Sequence, residues 1–217
     1  MIQQITTYFS EHGAEWVQMV IDHLAISGMA LAAALAIAVP LGILCSRHAW
    51  SERLATGTAG VLRVIPSLAI LIICVPYLGV GTVPAVVALT ILAIPPILIN
   101  TAVALRSVPA DVIEAGVSMG MSPLRLWLTV KAPLAFPLAF SGVRTAASEI
   151  IASATLAAYI GAGGLGILIY TGLGALRNDL LWIGGISVAV LSLIVNRVLA
   201  MVDRRIRAYE RVGSSAR

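Results

Sequence analysis

Long apolar runs alternate with short polar breaks along this chain, and the runs have membrane-crossing length. A transmembrane helix needs about 20 mostly apolar residues. The first charge-free run extends from Leu24 to Cys45 and stops before Arg47 and His48. No charge occurs between Arg63 and Arg106, room for two crossings once the segment Gly79-Val80-Gly81-Thr82-Val83-Pro84 breaks the run. The second span is therefore set at about Leu54–Leu78, with Arg63 inside it, and the third at about Ala85–Leu105. A fourth begins after Pro133 and continues to about Ala158, carrying Arg144 and Glu149. The glycine-rich turn from Gly161 to Gly166 follows. The apolar piece from Ile167 to Leu176 is too short to cross and reads as re-entrant or interfacial. A fifth span runs from about Leu180 to Met201. The pattern predicts an all-α, polytopic membrane protein of about five transmembrane helices, forming one domain over residues 1–217. Within it, residues 1–23 are expected as an outer N-terminal tail, 106–131 as a cytoplasmic loop, 159–179 as an outer re-entrant segment and 202–217 as a cytoplasmic tail.

The most polar interior stretch lies between Arg106 and Lys131. Asp111 follows Pro109, where an acid in a first turn suits the helix dipole, and Ser122-Pro123 can start a second short helix. Gly116 and Gly120 are spaced so that one helix face would be small enough for another protein to approach closely. A connection of this length is usually functional rather than structureless.

Composition sharpens the membrane reading. Of 217 residues, 59% are hydrophobic and only 11% charged, against about 25% charged in soluble domains; the mean hydropathy is +0.99. The net charge of +4 sits between the apolar spans, which marks topology rather than a nucleic-acid surface, and no basic-aromatic stripe suited to single strands is present. With the N-terminus outside, the cytoplasmic side receives Arg47, Arg53, Arg106, Arg125, Lys131, Arg204, Arg205, Arg207, Arg211 and Arg217. The outer side keeps only Arg177. Basic loops face the cytoplasm, so the expected orientation is N-out and C-in, in agreement with Glu11, Glu15 and Asp22 on the N-terminal side. The chain opens Met1-Ile2-Gln3-Gln4 without the basic start of a secretory signal, and the first apolar helix is expected to be retained.

Several literal matches fail on context. Gly161 to Gly166 spells G-x-G-x-x-G, but a dinucleotide site needs a preceding strand and a βαβ unit. The single lysine, Lys131, follows Val130 and heads no phosphate loop, so the energy for any active transport must come from a partner. Cys45 and Cys74 lie apart in apolar runs and suggest neither disulfide nor zinc. His12, His23 and His48 share no face and read as solvated or interfacial. No cofactor is implied. Trp16, Trp50 and Trp182 fall near span ends, as interfacial rings do.

The loop sequence carries a resemblance. Glu114-Ala115-Gly116, with Gly120 four residues on and Ala132-Pro133 beyond, resembles the EAA loop of ABC importer permeases. Ile65-Pro66-Ser67-Leu68-Ala69, Gly142-Val143-Arg144-Thr145 and Ala154-Thr155-Leu156-Ala157-Ala158 look like the permeases of osmoprotectant importers, which carry glycine betaine, carnitine, choline or proline. The similarity extends over nearly the whole chain. It implies the type I ABC importer (MetI-like) permease fold and a place in a bacterial cytoplasmic membrane. It also implies that Glu114, Ala115, Gly116 and Gly120, with Trp127, Ala132 and Pro133, couple to a cytoplasmic ABC ATPase dimer. A second permease subunit, identical or paralogous, and an extracytoplasmic solute-binding protein complete the expected set of partners, together with membrane lipid. The segment Tyr159–Asp179 is the expected docking surface for the binding protein.

Charges within spans are costly and are usually paired or water-facing. Arg63 and Arg144 are expected at comparable depth, with Glu149 about 7 Å further out at 1.5 Å per residue, within reach of a long arginine. Two readings stay open: an interhelical ion pair, or a pore or gate made with Pro66, Ser67 and Thr155. At Pro66-Ser67 a hydroxyl could satisfy the carbonyl that a proline frees inside a helix. Outside this class, an intramembrane enzyme should show an embedded catalytic constellation, and a secondary transporter should show inverted repeats with coupling acids. One embedded acid, Glu149, and no repeat are found.

Overall fold

The computed structural model describes residues 2–47, 57, 60 and 64–206. Arg63, Arg53, Trp50, the start of the second span and the tail beyond Ile206 lie outside the described residues. Among the described residues all regular structure is helical.

Helix α1 covers Ile2–Cys45, at 1.5 Å per residue about 66 Å long and so twice the thickness of a hydrocarbon core of about 30 Å. The segment expected as a tail at 1–23 is helical and continuous with the first span, bent at His12, whose φ of −121° and ψ of 18° leave the helical region. An aromatic row holds it in place. Tyr8 stacks near Phe9 and His12, Phe9 near Trp16, and buried Tyr8 packs with Leu165, Leu168, Leu180 and Ile183. Trp16 Nε1 donates to Ser187 Oγ at 2.9 Å. The acids lower the hydropathy of this stretch, yet Glu11 and Glu15 line one recess with Tyr8, Leu168 and Leu180, and Phe9 is 41% exposed.

Helix α2, Ser67–Leu78, is the described part of the second span. Helix α3, Thr82–Arg106, is the centre of the molecule and packs on both α1 and the fourth span. Two short helices follow, α4 at Ala110–Ser118 and α5 at Pro123–Leu126. A π-helical turn at Trp127–Lys131 leads without interruption into α6, Ala132–Ala157. A 3₁₀ turn, Ala158–Ile160, ends that rod. The short α7, Gly166–Gly174, and the long α8, Asn178–Ile206, complete the fold. Helices at Gln3–Cys45, Thr82–Arg106, Pro123–Ile160 and Asn178–Arg205 are long and apolar enough to cross a membrane, and α2 is a shorter apolar helix beside them. At nine residues, α7 does not cross.

Close packing of small side chains builds the core, as it must where lipid tails remove the hydrophobic drive between helices. Ala30, Ala34 and Ala38 are fully buried at four-residue spacing, hence on one face of α1, and cluster with Ala85, Ala88, Ala93 and Ile97 of α3. On the other side of α3, a Cβ at Gly142 would stand 2.5 Å from the Pro96 carbonyl oxygen and 2.6 Å from Asn100 Cβ. Only glycine lets α6 approach so near. Arg177 and Asp179 form an ion pair at the N-terminal end of α8, ahead of its apolar run.

His23 departs from the solvated or interfacial reading. It is fully buried, with Nε2 3.0 Å from the Ile151 carbonyl oxygen, so α1 is pinned to α6 at that height. Gly164 of the outer turn packs directly over its ring. Removing the imidazole leaves a cavity and loses a buried hydrogen bond, so His23→Ala should cost about 2–4 kcal/mol of stability. Thermal unfolding of the detergent-solubilised chain measures this; an unchanged melting temperature would contradict the pinning role.

Candidate functional site

Two polar features interrupt the apolar bundle, one within the membrane-spanning part and one on its cytoplasmic side. The first is a cleft of about 270 Å³ lined by Val64, Ile65, Pro66, Ser67, Leu92, Glu149 and Ser153. Three helices build it. Pro66 stands immediately before α2 with φ −58° and ψ 135°, so the chain leaves helical geometry there and starts afresh at Ser67. The expected Pro66 kink, with a hydroxyl satisfying a freed carbonyl, is therefore corrected to a helix start, where the missing proline N–H costs nothing. The Pro66 carbonyl accepts from Ala69 and Ile70 N–H at 2.9 and 3.3 Å. Across the cleft, Glu149 and Ser153 lie one turn apart on α6, Glu149 roughly 12 Å from its outer end. A helix start suits an anionic group, and a carboxylate suits a cation. Both occur in one recess.

Arg144 is elsewhere. Its Nη1 is 3.3 Å from Asp203 Oδ2 and its Nη2 donates to Asn196 Oδ1 at 3.1 Å, so it ties α6 to α8 rather than reaching Glu149. Of the two arginines expected within reach of Glu149, Arg144 turns away from it, because five residues set the two side chains on different flanks of α6, and Arg63 lies outside the described residues. Thr155 also stays out of the cleft. Its hydroxyl bonds the Ala152 carbonyl at 2.7 Å, and its carbonyl oxygen sits where a Cβ on Gly166 would overlap it. Among the described candidates, Pro66, Ser67 and Glu149 are brought together; Arg144 and Thr155 are not. Asp203 and Asn196, both on α8, are the partners of Arg144 that the pattern of spans does not single out. A polar pair, Asn196-Arg197, inside an apolar run was the signal available.

The second feature is the loop. Pro109 starts α4, Asp111 occupies its first turn, and the helix closes on Met119 N–H to the Ala115 carbonyl at 3.0 Å and Met121 N–H to the Gly116 carbonyl at 3.2 Å. Gly120 has φ 76° and is the left-handed residue that ends the helix. It is not on the helix face with Gly116. Gly116 is buried against Leu126 and Met121, so the small face expected to meet another protein meets α5 of the same chain. Val108, with Ile113 against it, packs α4 beneath Ala104, Leu105 and Ala135. Asp111, Val112, Glu114 and Ala115 of α4 are exposed, as are Val117 at 58%, Met119 at 69% and, on α5, Leu124 at 69%. The loop thus presents exposed apolar side chains together with an acid.

That surface is joined to the cleft by one continuous helical rod. Pro133 supplies no amide hydrogen, and the ladder beside it widens: Ala132 N–H bonds the Trp127 carbonyl, five residues back. Single π turns of this kind recur at functional sites. Trp127 is half-buried at its start, and Ala132-Pro133 forms its other edge. Among the described residues no group of three or more His, Cys, Asp and Glu could hold a metal ion.

A family model described as the inner membrane component of binding-protein-dependent transport systems matches residues 38–208. The chain is 43% identical over 202 residues to the carnitine transport permease protein OpuCB of Listeria monocytogenes, covering 93% of each. It is 35% identical over 205 residues to the choline transport system permease protein OpuBB of Bacillus subtilis, covering 94% of each. In fold it is similar to the MetNI methionine ABC transporter in an inward-facing conformation, with a TM-score of 0.78 over 88% of this chain and 95% of that one, at 22% identity.

Proposed function

The chain belongs to the family of inner membrane components of binding-protein-dependent transport systems, and from that premise we propose that it forms half of the membrane path of an ATP-driven osmoprotectant importer. The permease role follows from the family. The substrate class follows from relatives named for carnitine, choline, and glycine betaine with carnitine and choline. Each of those solutes carries a quaternary ammonium, and with 6% aromatic residues this chain has little material for an aromatic cage. Selection is therefore placed on an extracytoplasmic solute-binding protein, docked on the outer segment 159–179, while this subunit supplies the way through.

The observation that carries the mechanism is the single rod running from the exposed α4–α5 surface to the Glu149 cleft. A cytoplasmic ABC ATPase dimer holds the surface around Glu114 and Ala115. When ATP closes that dimer, two copies of the permease, or this chain and a paralogue, are drawn together at their cytoplasmic ends. α6 transmits the motion, and the recess between Ser67 and Glu149 changes the side from which it is reached. Binding energy for ATP thus becomes a shift between two arrangements of packed helices. Hydrolysis belongs to the ATPase; this chain catalyses nothing.

Proteoliposomes holding the permease, its ATPase and its binding protein should take up labelled carnitine, choline or glycine betaine only with ATP inside the ATPase compartment. Glu149→Gln keeps the shape of the cleft and removes its charge, and uptake should fall about tenfold to a hundredfold, the effect of losing one charge-assisted contact, with the complex still assembled. Uptake equal to that of the unaltered protein would remove the cleft from the path.

A further inference from the structure

We propose that the groove between α6 and α8 at the cytoplasmic end of the bundle binds the phosphate headgroup of an anionic phospholipid. The groove encloses about 600 Å³, and Arg144, Asn196, Arg197 and Arg204 line it together with Leu193 and Met201. Residues 193, 197, 200, 201 and 204 recur at three- and four-residue spacing and so share one face of α8. Three guanidinium groups meet one carboxylate here, that of Asp203, which is 7% exposed and bonded to Arg144. Arg144 is committed inward, to Asp203 and to Asn196. Arg197 and Arg204 are exposed, and among the described residues no ion pair joins either of them to an acid. Two positive charges therefore face outward from the groove.

Depth decides what neutralises them. Arg204 and Arg205 end α8 at the cytoplasmic surface by the distribution of basic loops, and Arg197 lies about 10 Å deeper along the helix. A guanidinium at that depth reaches down to the headgroup layer along its own aliphatic stem or draws an anion up to it. Basic pockets between helices on this side of a membrane take phosphate headgroups, and a planar guanidinium pair matches phosphate oxygens in fork geometry. The apolar part of the lining selects a lipid over free phosphate. Leu193 is 63% and Met201 56% exposed, in line with the two arginines along the helix, and an adjoining apolar groove of about 420 Å³ at Val198 and Val202 shares Met201 and Arg204 with the first. Acyl chains fill such surfaces; an inorganic ion leaves them bare. The assignment does not depend on the transported solute or on the ATPase.

The test uses the full chain in mild detergent, exchanged into mixtures of phosphatidylglycerol and phosphatidylcholine with the same acyl chains, with retained lipid counted by native mass spectrometry. Phosphatidylglycerol should be enriched over phosphatidylcholine. Arg197→Gln combined with Arg204→Gln should lower that enrichment about thirtyfold, the effect of two basic side chains near an anionic surface, with an unchanged melting temperature. Arg125→Gln, on α5 away from the groove, should leave it unaltered, and inorganic phosphate should not displace the lipid. Equal retention by the double variant overturns the site. Displacement by inorganic phosphate overturns its assignment to a lipid. Loss of subunit assembly in the double variant with retention unchanged assigns the arginines to a protein partner instead, and overturns the proposal as well.

Discussion

Glu114→Arg should abolish ATP-driven uptake while leaving the subunit folded. Glu114 is exposed on α4, whereas the helix is held through Val108 just before it, Ile113 and the buried Gly116. Exposed substitutions away from such contacts shift stability by only about 0.5 kcal/mol. At an interface the arithmetic differs. Truncating one charged partner in a buried pair costs about 2–5 kcal/mol, and reversing the charge adds repulsion, so affinity for the ATPase should drop at least a hundredfold. Three readouts separate the cases: co-purification with the ATPase, uptake in proteoliposomes and thermal unfolding of the isolated permease. Normal coupling in the variant would remove α4 from the docking surface. Loss of folding would mean that the acid serves the fold rather than a partner.

Gly142→Ala should do the opposite, destroying the subunit without touching any partner. The added methyl would stand 2.5 Å from a backbone oxygen of α3, and a backbone cannot rotate away as a side-chain tip can. α6 and α3 must separate along their contact, losing the packing of Ile150, Ala146 and Ile97 in the common core. Overpacking by one methylene already costs about 1–3 kcal/mol, and here relief requires moving a helix that also carries Arg144, Glu149 and the contact to His23. The yield of folded protein and its melting temperature should both fall well below those of Gly28→Ala. Gly28 is also in a helix, but a Cβ there meets nothing within 4 Å, and alanine is the better helix former. If the two variants melted together, the close approach of α3 and α6 would not be the constraint proposed.

The crossings at α3, α6 and α8 were legible because lipid demands about 20 apolar residues in a row, and no other force shapes the chain so plainly. The glycine turn and the short apolar helix after it were legible for the same reason, since nine residues cannot span. The first half of α1 was not. Its acids lower the mean hydropathy of a segment that buried Tyr8 and half-buried Trp16 hold against α7 and α8. Partners were the least legible. Arg144 meets Asp203, 59 positions away, rather than Glu149, which is close in sequence and at a plausible depth. Depth can be counted along a helix, but azimuth relative to a neighbour depends on how the two helices cross. Gly116 failed in the same manner: a small face was visible, and its occupant was Leu126 of the same chain. His23 gave no signal at all, because burial of a histidine is a property of what surrounds it. In the loop, the exposure of Val117, Met119 and Leu124 was not legible, since exposure is not written in residue type.

The widened turn at Trp127–Lys131 fixes an angle as well as a connection. An α turn advances by 100° per residue, so a single surplus residue rotates everything before it relative to everything after it by about that much. On the proposed function, the surface around Glu114 meets the ATPase at an azimuth set by the geometry of five residues next to a proline. A push delivered there arrives at the cleft partly as torque about the axis of α6, and the rod behaves as a crankshaft rather than a piston.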